Sequence, residues 1–229
     1  MSLLRILRPK GFAARMREGI RLVRRAILIR DEVVIFSASR SRTPEEPIAD
    51  WTSSAVAIRV GTRADLHDLM TAFGGDFDPR WMEKASARLD SGDRIFIAEV
   101  GSRACHVSWL GTRESIDLSS DLPCRCVVPL STASAVIYDC WTAEPFRGRG
   151  IYPHVLRHIA ANVPSTTTYV YAATRNRASC RGILKAGFAP WRTARGTRFL
   201  GRLTWSGHRA AIRERVQTPH EPLPQLPRS

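Results

Sequence analysis

Between residues 133 and 188 the chain changes its hydrophobic period repeatedly, and this alternation restricts the fold more than any other feature. Ala133–Trp141 (ASAVIYDCW) reads as a strand, Gly150–Asn162 repeats apolar residues at helical spacing, Thr167–Ala173 is strand-like again, and Asn176–Ala186 is helical. Upstream, Ala55–Val60 alternates as a strand. Thr62 and Asp65 resemble a capping box that opens a helix running to about Phe73, and a second helix spans Pro79 to Leu89. Arg94–Val100 and Ala104–Leu110 form a hairpin about Gly101-Ser102. Residues 111–131 read as irregular, and Phe188–Arg192 and Arg198–Thr204 close the series as two strands. Interleaved strands and amphipathic helices bury their apolar faces by layering, so the expected class is mixed α/β, a central sheet flanked by helices.

The pattern occupies only part of the 229 residues. Residues 51–204 are expected to form one domain, large enough to fold without a disulfide or metal staple. Residues 1–50 are set apart as a basic extension and linker, with Asp31–Ser37 able to form a short strand, and residues 205–229 as a proline-rich, disordered tail. The five cysteines are odd in number and irregular in spacing. Cys124-Arg-Cys126 is not C-x-x-C, so reduced thiols in a cytoplasmic protein, with no metal, are the expectation.

The formal net charge of +14 is concentrated at the start. Residues 1–30 hold nine basic residues against Glu18 alone, a net +8. Phe12, Met16, Ile20, Val23 and Ile27 recur there at spacings of three and four, which predicts a basic amphipathic helix. Three readings remain open for it: a solvated or self-packed face, peripheral contact with an anionic membrane such as the inner membrane surface, or a nucleic-acid or protein contact. No basic strand interleaved with aromatics appears, which argues against nucleic acid. Arg5, Arg8 and Lys10 interrupt any apolar core of signal-peptide length, and no segment has the uninterrupted apolar run of a membrane-spanning helix.

The chemistry-bearing segment is Glu144-Pro-Phe-Arg-Gly-Arg-Gly-Ile-Tyr-Pro-His154, which follows a strand and opens a helix. Gly148 and Gly150 let the backbone turn so that successive N–H groups point one way. The helix N-terminus adds unpaired donors and the positive end of its dipole, and Pro153 in its first turn removes no needed donor. The result suits a pyrophosphate. Neither a P-loop nor G-x-G-x-x-G is present, since no G-K-[ST] follows and His154 stands at the third glycine position. The second segment runs from Asn176, a good N-cap, to Gly187 and Phe188, with Gly187 suited to the left-handed position after a helix.

In this order, the two segments resemble the GNAT superfamily of acyl-CoA-dependent N-acyltransferases. Arg147-Gly-Arg-Gly150-Ile-Tyr152 matches its R-x-x-G-x-[GA] motif, and Asn176, Ser179, Lys185, Gly187 and Phe188 fall in register with N-x-x-[AS]-x-x-x-x-x-K-x-G-F. The element order is similar over about 55–204, and the motifs are specific over 142–188. The resemblance implies a splayed sheet with acetyl-CoA, or another acyl-CoA, as co-substrate. It implies that the backbone of Arg147, Gly148, Arg149, Gly150, Ile151 and Tyr152 holds the pyrophosphate. Pantetheine would lie where the strands at 133–142 and 167–173 part, pairing near Thr142 and contacting Asn176 and Ser179. Two residues depart from the pattern. Tyr152 replaces a small residue, and Ile183 stands where many members carry a tyrosine that protonates the departing thiolate. Either another group serves the thiolate or it leaves unprotonated, as a thiol pKa near 8.5 allows.

The implied reaction needs a neutral amine, so a base or a water chain to one is expected near the parting strands. Asp139 and Tyr138 on the preceding strand and His106 on the neighbouring one are the candidates. Asp139 interrupts an apolar run, where an unpaired carboxylate is costly, so it is either the base or a partnered structural residue. His106 could equally be a satisfied core histidine, and Cys140 could in principle carry the acyl group, although direct transfer is the family habit. The expected function is N-acyl transfer, most simply acetyl, to a small-molecule primary amine. The alternative is a non-catalytic GNAT-like module that binds CoA or a partner.

Overall fold

The computed structural model describes residues 28–39, 56–74, 77, 79–199 and 213–214. In chain order the elements are β1 (Leu28–Ser39), β2 (Val56–Gly61), α1 (Asp65–Phe73), α2 (Pro79–Asp90), β3 (Arg94–Val100), β4 (Arg103–Asp117) and β5 (Val127–Thr142). After a 3-10 turn at Glu144–Phe146 come α3 (Ile151–Asn162), β6 (Thr167–Ala173), α4 (Arg177–Lys185), β7 (Ala189–Phe199) and β8 (Arg213–Glu214). The strands form one mixed sheet in the order β2-β3-β4-β5-β6-β1-β7-β8. The amphipathic helix expected at the N-terminus, the linker after residue 39 and nearly all of the expected tail fall outside the described residues.

Helices cover both faces. Leu66, Leu69 and Phe73 of α1 and Ala85 of α2 pack on Ile95, Ile97, Val107 and Trp109. On the other face Ile151, Val155, Leu156 and Ile159 of α3, with Ile183 of α4, pack on Phe96, Ala98, Leu110, Ile137 and Val170. Each element presents one apolar stripe or one alternate set of side chains, as the period demands.

Three findings correct the sequence reading. The strand set apart in the N-terminal extension is central. β1 lies between β6 and β7, and Val33, Ile35 and Phe36 are buried. Second, residues 111–131 are not irregular throughout. β4 runs to Asp117 and β5 starts at Val127, with Ile116 opposite Val128. Among Thr112–Asp117 only Ile116 is buried, so the stretch carries no period-2 signal. Third, the two closing strands are one, β7. Its polar centre pairs with charged residues of β1, Arg195 forming an ion pair with Glu32, and a Cβ at Gly196 would come within 2.8 Å of Pro123 Cδ. Gly196 therefore admits the loop that links β4 and β5. β8, within the region read as tail, pairs with β7 at Arg192 and Thr193.

Candidate active site

All neighbouring strands are antiparallel except β5 and β6, which α3 connects as a parallel crossover. Their pairing covers only Ala135↔Thr168, Val136↔Tyr169 and Ile137↔Val170. Beyond Ile137 and Val170 both strands continue unpaired with each other, so the sheet parts there. The cause lies at Asp139, the one non-glycine among the described residues with positive φ, at 44°. Trp109 pairs with Tyr138, and Val107 with Trp141, so Asp139 and Cys140 together oppose Ser108. This two-against-one bulge bends β5 away from β6.

The glycine turn follows at the end of β5. Gly148 has φ 76° and Gly150 has φ 77°, a conformation that glycine adopts without strain. Gly150 caps α3 with no side-chain hydrogen bond, so side chains leave the first amides of the helix unsatisfied. A Cβ at Gly148 would meet nothing within 4 Å, so the turn is open on that side. These features fit a pyrophosphate held by backbone donors. The side chain of Arg147 turns away: its Nε donates to the Thr142 carbonyl at 3.0 Å, and its guanidinium lies 5.0 Å from the Trp141 ring centre. Arg149 lies over Phe146 at 5.6 Å. On α4, Asn176 Oδ1 accepts from the Ser179 amide at 3.1 Å, the expected N-cap.

A chain of polar groups runs beneath the parting on the α3/α4 face. His106 is wholly buried, its Nδ1 2.7 Å from Thr142 Oγ1 and its Nε2 2.7 Å from Ser108 Oγ. Burial pulls its pKa down to about 3. It is therefore a neutral imidazole with both nitrogens engaged, closer to the satisfied core histidine than to a free base. Desolvation pushes the Cys140 thiol up to about 12, which disfavours the thiolate an acyl carrier would need. Tyr152 lies 5.7 Å from the His106 ring centre, and burial raises the pKa of its phenol. Gly182 of α4 accommodates the large residue. A Cβ there would stand 2.6 Å from Tyr152 Cδ1.

The other face of the parting carries a cleft of about 540 Å³, lined by Arg88, Asp93, Arg113, Tyr138 and Tyr171 among others. Asp93 is buried and accepts from Arg113 Nη2 at 2.5 Å and from the Tyr138 hydroxyl. Burial, and then the Asp93 hydrogen bond, raise the Tyr138 pKa. The expectation of an apolar setting for Asp139 is corrected. The bulge turns its side chain out, 59% exposed and ion-paired with Arg88. Of the three candidate bases, Tyr138 lines this cleft, Asp139 pairs with a cleft residue, and His106 sits on the opposite face. Sequence reasoning missed Arg88, Asp93, Arg113 and Tyr171. Nothing in the local sequence marks them. Among the described residues no group of three His, Cys, Asp or Glu could hold a metal ion.

No family model and no curated protein matches the sequence. Solved structures match the fold. A GCN5-related glucosamine N-acetyltransferase region of a fungal multi-domain GH3 beta-N-acetylglucosaminidase superposes with a TM-score of 0.55 at 16% identity, over 87% of this chain and 25% of that one. A GCN5-related N-acetyltransferase from Sphaerobacter thermophilus gives 0.52 at 12% identity, over 80% and 56%. A functionally unknown conserved protein from Staphylococcus epidermidis gives 0.51 at 11% identity, over 80% and 65%. This chain thus spans less than two thirds of each of these three. The fold is that of the GNAT acetyltransferases. Among the described residues no helix is long and apolar enough to cross a membrane.

Proposed function

We propose that the chain is an N-acyltransferase, most simply an N-acetyltransferase, that moves an acyl group from acyl-CoA to a primary amine by direct attack in a ternary complex. The observation that carries this reading is the parting of β5 and β6 beyond Ile137 and Val170, next to the open turn at Gly148 and Gly150. Acyl-CoA would supply the acyl group activated as a thioester. The amides at 148–152 would hold its pyrophosphate, and Thr142, Asn176 and Ser179 would flank the pantetheine.

The amine would enter from the cleft on the α1/α2 face. Asp93, ion-paired with Arg113, and Asp139, ion-paired with Arg88, are the carboxylates at this cleft that would take its proton. Transfer to water is the competing outcome. A second reading, a non-catalytic CoA- or partner-binding module, draws support from Ile183, which is wholly buried where a tyrosine would serve the leaving group. For residues 1–30 we propose peripheral attachment to anionic membranes, on the strength of their net +8.

The test has two parts. Free-thiol release from acetyl-CoA is measured across a panel of primary amines; release that depends on amine supports transfer, and none with any amine favours the module. Calorimetry then compares CoA binding by the wild type and Gly148→Val. The open space at Gly148 spares the variant a clash with the protein and leaves it backbone strain alone. Equal affinities would sink the assignment of the phosphate turn.

A further inference from the structure

The two helix layers differ in charge. α3 and α4 carry four basic residues, Arg157, Arg177, Arg181 and Lys185, and no acidic one. α1 and α2, across the sheet, carry three basic residues against four acidic ones. The excess gathers on α4. Arg177, Arg181 and Lys185 stand at i, i+4 and i+8, a row about 12 Å long on one side of the helix. All three are exposed, and none has an ion-pair partner among the described residues. Like charges four apart on a helix repel, so the row calls for an anion from outside. Leu184 lies beside it, 50% exposed, while Gly182 and Ile183 on the inner side are buried.

Two contacts fix where the N-terminal segment joins this layer. The Thr174 amide donates to the Glu32 carbonyl at 2.8 Å, and Arg175, two residues before α4, forms an ion pair with Asp31. Asp31 stands three residues after Leu28, where β1 begins. Residues 1–27 hold eight basic residues against Glu18 alone, and they enter the domain beside the first turn of α4. The basic segment and the basic face therefore meet at one end of the sheet.

We propose that the outer face of α4 is a docking surface for an anionic lipid bilayer, acting together with residues 1–30. This deepens the attachment proposed for that segment and rests on it. Anionic headgroups supply the counter-charge that the row lacks, the long Arg and Lys side chains reach them, and Leu184 enters the boundary between headgroups and acyl chains. An exposed leucine beside the cations gains nothing from a soluble polyanion, which favours a bilayer over nucleic acid as the occupant. A single phosphate of CoA does not span the row. Three cations without the extension attach only weakly, so the two act jointly. Seated on α4, the domain turns the α1/α2 cleft away from the bilayer, so the acceptor amine is taken from the water phase.

The test measures partition of the full chain onto vesicles of mixed phosphatidylserine and phosphatidylcholine at about 0.1 M salt. Three variants are compared with wild type: Arg177→Glu/Arg181→Glu, Leu184→Ser, and Arg80→Glu/Lys84→Glu, which makes the same charge change at exposed positions of α2. Each is checked by thermal melting and by calorimetry with CoA. The α4 reversal should weaken partition about 25-fold or more, since each basic residue at the surface is worth about fivefold. The α2 reversal should weaken it less than about threefold, because α2 lies across the sheet, beyond the Debye length of about 10 Å. Leu184→Ser should cost about threefold to fivefold. It changes one exposed side chain, and it decides the matter if the double reversal melts early: unchanged partition then overturns the face. Equal losses from the α4 and α2 reversals overturn it too, leaving attraction by net charge alone. So does unchanged partition after the α4 reversal, with weaker CoA binding assigning the row to CoA phosphates and weaker binding of duplex DNA assigning it to nucleic acid; the attachment through residues 1–30 then stands. If the wild type does not partition at all, both readings fall.

Discussion

Gly182→Ala should change sign with the residue at position 152. Gly182 lies inside α4, where alanine is favoured over glycine by about 1 kcal/mol. Against this, the new Cβ would sit 2.6 Å from Tyr152 Cδ1, well inside the ordinary contact of about 3.5–4.0 Å. The ring must retreat by roughly 1 Å. It is hemmed in by the His106 ring, 5.7 Å away, so that neighbour must yield with it. Overpacking of this kind costs about 1–3 kcal/mol. In the wild-type background the two effects leave Gly182→Ala neutral or destabilising by up to about 2 kcal/mol. In a Tyr152→Ala background the clash is gone, and the same substitution should stabilise by about 1 kcal/mol. Urea unfolding of the four proteins gives the coupling directly, expected at about 1–3 kcal/mol. Equal stabilisation by Gly182→Ala in both backgrounds would refute the notch.

Acid should destabilise the protein through His106. The unfolded chain binds that proton near pH 6.5 and the folded one only near about 3. Stability is therefore whole above 6.5 and falls toward pH 3 by up to about 1.4 kcal/mol per unit, a slope that His106→Gln should flatten in urea titrations at several pH values. Asp139→Gly should be about 1 kcal/mol more stable than Asp139→Ala, since both lose Arg88 but only alanine keeps a Cβ at φ 44°; equal melting temperatures would remove the bulge argument. Asp93→Asn should cost about 1–3 kcal/mol in denaturant unfolding, because Arg113 and Tyr138 lose a buried carboxylate. Full-length protein should float with anionic but not neutral liposomes, and less so at high salt, whereas protein beginning at Leu28 should stay in solution.

What the sequence discloses here is what neighbours in the chain decide. The turn at Gly148 and Gly150, the cap at Asn176 and the helices beside them depend on contacts within a few residues, and all are found where the spacing indicates. The acceptor cleft depends on contacts that no window spans. Arg88 comes from α2, Asp93 from the turn before β3, Arg113 from β4 and Tyr171 from β6, and only the sheet brings them together. Asp139 shows the same limit. Its alternation in β5 points inward, but the register against β4 inserts one extra residue and turns it out. Tyr152 departs from the motif, and the residue that makes room for it, Gly182, stands thirty positions on.

The central place of β1 has a consequence for how the molecule is made. Glu32 is hydrogen-bonded to Thr174 and Arg195, partners 142 and 163 residues along the chain. β1, the first strand among the described residues, thus cannot be paired on either side until β6 and β7 have left the ribosome. Pairings this distant in sequence form late, because loop closure must precede any gain from them. Until then a chain carrying β2 to β5 lacks its neighbours on one side and exposes a β5 edge to other nascent chains. Removing residues 28–39 would make that condition permanent, leaving β6 and β7 each with an open edge in the middle of the sheet. Such a protein should aggregate on expression, even though every residue of the glycine turn and the cleft is intact.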